Sequence, residues 1–136
     1  MRRRVLPVVA SAAALAALAP QPAIADRAPT KAERTAIKRA VLARCKPVPE
    51  PCRFRSARVS TRNRRYAWAN VVREGLSGML LTRPTSTSRR FTVAGIQGGG
   101  ISACAYWRKR APRSVLRDLD IHGLIDIPSG TEGSCG

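Results

Sequence analysis

The stretch YAWANVVREGLSGMLLT, residues 66–82, consists of two apolar runs separated by a short polar turn. The first run, residues 66–73, carries Tyr, Trp and two Val, and the second, residues 76–82, is rich in Leu and Met. Runs of this length and composition, bounded by Gly and charged residues, are typical of β-strands. The stretch therefore predicts two consecutive strands joined by a turn at Glu74–Gly75.

Two further runs flank this pair. In residues 54–60 apolar and polar side chains alternate, which puts Ala57 and Val59 on one side of the strand. In residues 90–96 Phe91 and Val93 likewise lie on one side. Polar, turn-like connectors, TRNRR and RPTSTSRR, separate these runs from the central pair. Consecutive strands joined in this way predict a four-stranded antiparallel sheet with one face in solvent.

A helix is expected on the N-terminal side of the strands. Thr30 and Glu33 have the spacing of a capping box, which predicts a helix that runs to about Arg44. Its apolar face is narrow and formed by Ile37, Ala40 and Val41. Such a face suits docking on a sheet better than binding to a membrane.

A second, short helix is expected after the strands, opening at Ala111–Pro112 and ending by Gly123. Its buried face is formed by Val115, Leu116 and Leu119. GIQGGG reads as a flexible loop that leads to Cys104, and LIDIP as a last extended piece. The predicted fold class is α+β: an N-terminal helix, a four-stranded antiparallel sheet, a short C-terminal helix and two disulfides.

The N-terminus has the pattern of a secretory signal peptide. A basic start is followed by an apolar run over residues 5–18 and by Ala23-Ile24-Ala25. The run is too short to span about 30 Å of hydrocarbon. We expect cleavage after Ala25, a secreted protein without a membrane span, a linker over residues 26–29 and a single domain over residues 30–136.

Four cysteines remain after this cleavage, which in a small exported chain predicts two disulfides: Cys45, Cys52, Cys104 and Cys135. We prefer Cys45–Cys52 and Cys104–Cys135, because neighbours in sequence meet most readily. The segment CKPVPEPC holds three prolines, and as extended polyproline it would separate its cysteines by roughly 20 Å. A local ring therefore needs a cis X-Pro bond or a sharp turn; otherwise both cysteines pair with distant residues.

The chain is strongly basic, with 25 Lys and Arg against 8 Asp and Glu and a formal net charge of +17. This charge favours anionic partners such as an acidic envelope polymer or nucleic acid; alternatively it reflects genome composition and serves solubility. Basic residues beside aromatic ones suit the stacking of bases and the neutralisation of phosphates. The candidate polyanion-binding residues are Arg62, Arg64, Arg65, Arg89, Arg90, Arg108, Lys109, Arg110 and Arg113. Tyr66 and Trp68 share one strand face and are expected in the core, and Trp107 is expected to cover a disulfide.

Catalytic and metal-binding patterns are weak. His122 is the only histidine, and a ribonuclease would need it beside Glu74 and an Arg. Asp118, Asp120 and His122 could hold a cation, but paired with Arg113 or Arg117 they would be ordinary polar residues. The chain has no G-x-S-x-G or phosphate-loop motif, so no cofactor, metal or catalytic residue is predicted.

Three segments, VSTRNRRYAWANV, GIQGGGISAC and APRSVLRDL, together resemble a group of uncharacterised small exported proteins of actinobacteria. The resemblance extends from about Thr30 to Leu119. It implies export and the fold, and it transfers no catalytic residue.

We therefore expect a secreted, basic, non-enzymatic interaction domain acting at the cell envelope or outside the cell. A small ribonuclease-like hydrolase is one alternative. A protease inhibitor that displays Lys46 on the 45–52 loop is another. The oligomeric state is left open.

Overall fold

The computed structural model describes residues 26–46 and 51–136, and the predicted signal peptide and Pro47 and Pro49 lie outside these ranges. The chain has the predicted α+β class, with a helix before the sheet and a short helix after it. Its elements in chain order are β1 (Asp26–Arg27), α1 (Lys31–Cys45), β2 (Arg53–Ser60), β3 (Tyr66–Arg73), β4 (Leu76–Thr82), β5 (Thr92–Gly98), α2 (Cys104–Arg108), α3 (Arg113–Asp118), β6 (His122–Asp126) and β7 (Thr131–Ser134).

The main sheet is antiparallel and has five strands in the order β1-β2-β3-β4-β5, so the prediction of four strands is wrong. The additional strand comes from the segment expected to be a linker, where Asp26 pairs with Ser60 and Arg27 with Val59. A two-residue strand has no periodicity that a sequence pattern could reveal. Arg58 secures it from the neighbouring strand, because its Nη1 donates to Asp26 Oδ2 at 2.8 Å.

Helix α1 covers one face of the sheet. The predicted capping box is present: Thr30 Oγ1 accepts from the Glu33 amide at 3.2 Å, and Glu33 Oε2 accepts from the Thr30 amide at 2.9 Å. The predicted apolar face of the helix packs on the sheet, with Ile37 and Val41 fully buried. Alternate residues of the strands, including Ala69, complete this first core.

The opposite face of the sheet is also covered, which the sequence pattern did not predict. Trp68 and Leu80 point away from α1 and pack against Trp107 and Leu116, which belong to α2 and α3. The sheet is therefore the middle layer of three, and it is not solvated on one side. The run Met79-Leu80-Leu81 is buried throughout, as expected for a strand with both faces covered.

The C-terminal part differs from the prediction in detail. Strand β5 continues to Gly98 through the first residues of GIQGGG, so the prediction of a loop there is partly wrong. Residues 104–108 form the short helix α2, for which no element was predicted. Helix α3 ends at Asp118, and Gly123 lies in β6 and does not terminate the helix. A Cβ added to Gly123 would lie 2.9 Å from Cys135 Sγ, so the glycine allows a close approach. The predicted last extended piece forms a hairpin of β6 and β7.

Two disulfides close the structure: Cys45–Cys52, with Cα atoms 5.8 Å apart, and Cys104–Cys135, with Cα atoms 5.0 Å apart. These are the pairs that we preferred from the sequence. The first closes the segment after α1, and the second ties α2 to the residue after β7. Within residues 26–46 and 51–136, no helix is long and apolar enough to cross a membrane.

Candidate polyanion-binding groove

Arg83 joins three segments on the α1 side of the sheet. Only 3% of this residue is exposed, and its Nη2 contacts Glu33 Oε1 at 2.8 Å. Its Nε donates to the Arg64 carbonyl at 2.9 Å, and its Nη1 donates to the Ser88 carbonyl at 3.1 Å. The guanidinium also lies over the Phe91 ring, 4.7 Å from its centroid. Arg83 thus holds the β2–β3 turn and the β4–β5 loop against the start of α1.

Glu33 is the carboxylate at the centre of this network. Arg27 donates to both of its oxygens, at 2.7 and 2.8 Å, in addition to the contact from Arg83. Hydrogen bonds from Arg27 above all, helped by the Thr30 amide and Arg83 and opposed by burial, lower the pKa of Glu33 to about 2. The same interaction raises the pKa of Arg27. Glu33 is therefore ionised at neutral pH and its charge is compensated by two guanidinium groups.

Two adjoining cavities lie between α1 and the β4–β5 loop; we call them together the basic groove. The larger, about 460 Å³, is lined by Lys31, Ala32, Thr35, Ala36, Arg39 and Arg89. The smaller, about 310 Å³, is lined by Arg27, Thr30, Ala32, Glu33, Arg64, Arg83, Ser86, Thr87, Ser88 and Arg89. The cavities share Ala32 and Arg89, so they adjoin each other.

The basic groove is strongly electropositive. Six of its lining residues are basic and only Glu33 is acidic. Arg27 and Arg83 are occupied by that carboxylate, as described above. In the part of the chain that the structure describes, the other four cations form no ion pair: Lys31, Arg39, Arg64 and Arg89. With the hydroxyls of Ser86 and Thr87 beside them, they offer hydrogen-bond donors to an anion.

The nine basic residues predicted to bind polyanions lie in different parts of the structure. Arg64 and Arg89 line the basic groove. Arg65 serves the framework, because its Nε donates to the Arg83 carbonyl at 3.0 Å. Arg62 and Arg90 are exposed in the neighbouring loops but do not line the cavities.

The other four predicted residues lie on or beside α2 and α3, on the far face of the sheet: Arg108, Lys109, Arg110 and Arg113. Arg108 Nε donates to the Cys135 carbonyl at 3.1 Å, and Arg110 Nη1 donates to the Tyr106 carbonyl at 2.7 Å. Two of the four therefore support local structure. The nine residues do not form one binding surface.

The tryptophan side chains lie in the core, as expected from the sequence, and are not available for stacking bases. Trp68 and Trp107 are buried and meet edge to face, with centroids 5.5 Å apart. Trp107 packs in the core that contains Cys104 and Cys135, as predicted for a side chain that covers a disulfide. The exposed side of the Tyr106 ring is covered by Arg110, whose guanidinium carbon lies 3.5 Å from the centroid. Among the described residues, those lining the basic groove include no aromatic one.

The sequence interpretation missed the helical wall of the groove. Lys31, Thr35 and Arg39 are spaced four residues apart, which places them on one face of α1. This spacing was visible in the sequence. The loop residues Ser86 and Thr87 carried no comparable signal, because only the packing of Arg83 brings their loop to the helix.

Asp118 accepts hydrogen bonds from the β2–β3 turn, a contact that the sequence did not indicate. The residue is buried and accepts hydrogen bonds from Ser60 Oγ at 2.5 Å and from the Thr61 and Arg62 amides at 2.7 and 3.2 Å. Thr61 Oγ1 donates to its second oxygen at 3.0 Å. Asp118 thus fastens the β2–β3 turn to the end of α3, and the expected pairing with Arg113 or Arg117 is wrong.

Asp120 and His122 pair with each other at the surface, with His122 Nε2 2.8 Å from Asp120 Oδ1. Residues 26–46 and 51–136 contain no group of three or more His, Cys, Asp and Glu residues that could hold a metal ion. Glu74 lies in the β3–β4 turn and lines a cavity of about 270 Å³ with Arg44, on the α1 side of the sheet. His122 belongs to the opposite layer, so the hypothetical ribonuclease pair of Glu74 and His122 is not assembled.

Comparison with known proteins adds no functional assignment. No known protein family matches the chain, and neither a curated protein nor a solved structure is detectably similar to it. Its function has to be inferred from the chemistry of the basic groove.

Proposed function

We propose that this protein is an exported interaction domain that binds an anionic polymer in the basic groove. The observation that carries the proposal is the set of four groove cations without a carboxylate partner in the described ranges: Lys31, Arg39, Arg64 and Arg89. A polymer that neutralises these side chains releases condensed counterions, and this release supplies much of the free energy of binding.

The acidic residue in the groove favours binding over catalysis. A general acid or base works best with a pKa near the operating pH, whereas the pKa of Glu33 is about 2. Its oxygens are also engaged by Arg27, Arg83 and the Thr30 amide. Glu33 therefore shapes the groove and orients its cations, and it is unsuited to transfer protons at neutral pH.

Export is supported by two features. Two disulfides in a small domain are typical of an oxidising compartment. The basic, apolar and small-residue segments before Asp26 follow the order of a secretory signal peptide. The resemblance to small exported actinobacterial proteins points the same way. An envelope polymer outside the cell is then an accessible partner.

The test compares two variants of equal charge. The groove variant carries Lys31→Gln, Arg64→Gln and Arg89→Gln, which span both cavities. The control variant carries Lys109→Gln, Arg113→Gln and Arg117→Gln, three exposed residues on the other face of the sheet. Each variant loses one lysine and two arginines, so their net charges are identical.

Heparin serves as the polyanion, and its dissociation constant is measured by fluorescence anisotropy at about 0.1 M salt. We expect the groove variant to bind about tenfold or more weakly than the wild type, and the control variant to stay within about threefold. Equal losses in the two variants would show that the overall charge, and not the groove, attracts the polymer. Far-ultraviolet circular dichroism verifies that both variants are folded.

A further inference from the structure

We infer that the ligand of the basic groove is a flexible phosphate chain without bases, such as a polyol-phosphate polymer or inorganic polyphosphate. This inference rests on the proposed function and specifies its ligand. It depends on three properties of the groove: its length, the placement of its donors on two walls and the chemical nature of its lining.

The length of the groove suits a chain and exceeds a single anion. Lys31 and Arg39 are eight residues apart on α1, which corresponds to about 12 Å along the helix axis. The adjoining second cavity, which shares Ala32 and Arg89 with the first, adds Arg64 to the lining. Consecutive anionic groups of one polymer can therefore meet separate cations along the same path.

The donors lie on two facing walls. The helical wall carries Lys31 and Arg39, and the loop wall carries Ser86, Thr87 and Arg89. Each phosphate within such a chain presents two non-bridging oxygens that project to different sides of the chain, so it can accept hydrogen bonds from both walls at once. Arginine adds a fork of N–H groups that matches phosphate oxygens.

In the part of the chain that the structure describes, the lining of the groove contains no aromatic side chain on which a base could stack. Proteins that bind single-stranded nucleic acid combine basic grooves with aromatic platforms on which the bases stack. Phe91, whose ring lies against the groove residue Arg83, is 7% exposed and is covered by the Arg83 guanidinium. The groove, in its described residues, therefore has donors for the phosphates of a chain but lacks the aromatic platforms typical of single-stranded nucleic-acid sites.

The inference is tested with two oligodeoxynucleotides of equal phosphate number, one of thymidine and one made entirely of abasic sites. Both carry the same backbone charge, so only the bases distinguish them. We expect their dissociation constants for the wild-type protein to agree within about threefold. Stacking would favour the thymidine oligomer by at least about fivefold for each base bound.

Poly(glycerol phosphate) and inorganic polyphosphate then compete separately with labelled heparin. Displacement by either chain, weakened in the variant Lys31→Gln/Arg64→Gln/Arg89→Gln, supports the inference, and the stronger competitor identifies the source of the phosphates. Thymidine binding about fivefold or more tighter than abasic binding would overturn it. Failure of both phosphate chains to displace heparin would also overturn it. In both cases the proposed function stands if heparin binds the wild type and is weakened specifically in the groove variant. If heparin binding shows no such dependence on the groove residues, the proposed function itself is refuted.

Discussion

Glu33 is expected to make the stability of the protein depend on pH in the acid range. Its pKa is about 2 in the folded chain against an ordinary value of 4.5. A difference of this size corresponds to about 3 kcal/mol at 1.36 kcal/mol per pKa unit. The Arg27 side chain, whose hydrogen bonds are the main cause of the shift, is 28% exposed, so solvent screening reduces this figure to about 2 kcal/mol.

The sign of the effect follows from which state binds the proton first. As the pH falls through 4.5, Glu33 becomes protonated in the unfolded chain while it stays ionised in the folded chain. Protonation therefore stabilises the unfolded state, and the contribution of Glu33 is lost between about pH 5 and pH 2. Above about pH 5 this contribution is complete.

The variant Glu33→Gln isolates this contribution. Urea unfolding followed by circular dichroism, at intervals from pH 7 to pH 2, gives the free energy of unfolding of each protein. We expect the wild type to lose about 2 kcal/mol more than Glu33→Gln over this range. The variant should also be less stable at pH 7, because Arg83 is then left buried without a counter-charge.

Glu74→Gln is the matched control, since Glu74 is exposed in the β3–β4 turn and forms no ion pair within the described ranges. It should retain the pH dependence of the wild type. If Glu33→Gln also retained it, the network around Arg83 would not hold the carboxylate as the structure shows.

Two further predictions concern stability. Asp118→Asn should lower the free energy of unfolding by about 2–3 kcal/mol, because the donors of the β2–β3 turn would then face the NH₂ group of an amide. In the same urea assay the control Asp120→Asn, at an exposed position, should change the free energy of unfolding by less than about 0.5 kcal/mol. Removing Cys104–Cys135 should cost about 4 kcal/mol and removing Cys45–Cys52 about 2.5 kcal/mol, because the first pair is 31 residues apart in sequence and the second 7. Thermal unfolding of the two paired Cys→Ser variants compares them, and the reverse order would contradict the entropic explanation.

Local signals explain how much of the fold could be predicted. The capping residues Thr30 and Glu33 and the alternation around Ala57 and Val59 act within a few positions, and the structure contains the elements they predict. The strand β1 could not be found in this way, because it is stabilised by Arg58 from a distant part of the chain. The covered second face was indicated weakly by Met79-Leu80-Leu81, a run without alternation.

The groove was harder to predict because it is assembled from distant segments. Charge along the sequence identified Arg64 and Arg89 as candidates but could not show on which face of the sheet they lie. Arg83, which was not a candidate, brings their two loops to α1 through contacts with Glu33 and two carbonyl oxygens. Burial of such an arginine depends on partners up to 50 residues away in sequence, and no local pattern encodes them.

The salt dependence of heparin binding distinguishes binding in the basic groove from attraction by the overall charge. With four groove cations engaged, the logarithm of the binding constant should fall with the logarithm of salt concentration with a slope of about −3. The variant Lys31→Gln/Arg64→Gln/Arg89→Gln should reduce the slope to about −1, and Lys109→Gln/Arg113→Gln/Arg117→Gln should leave it near −3. Equal slopes for these two variants would contradict the assignment of polyanion binding to the basic groove.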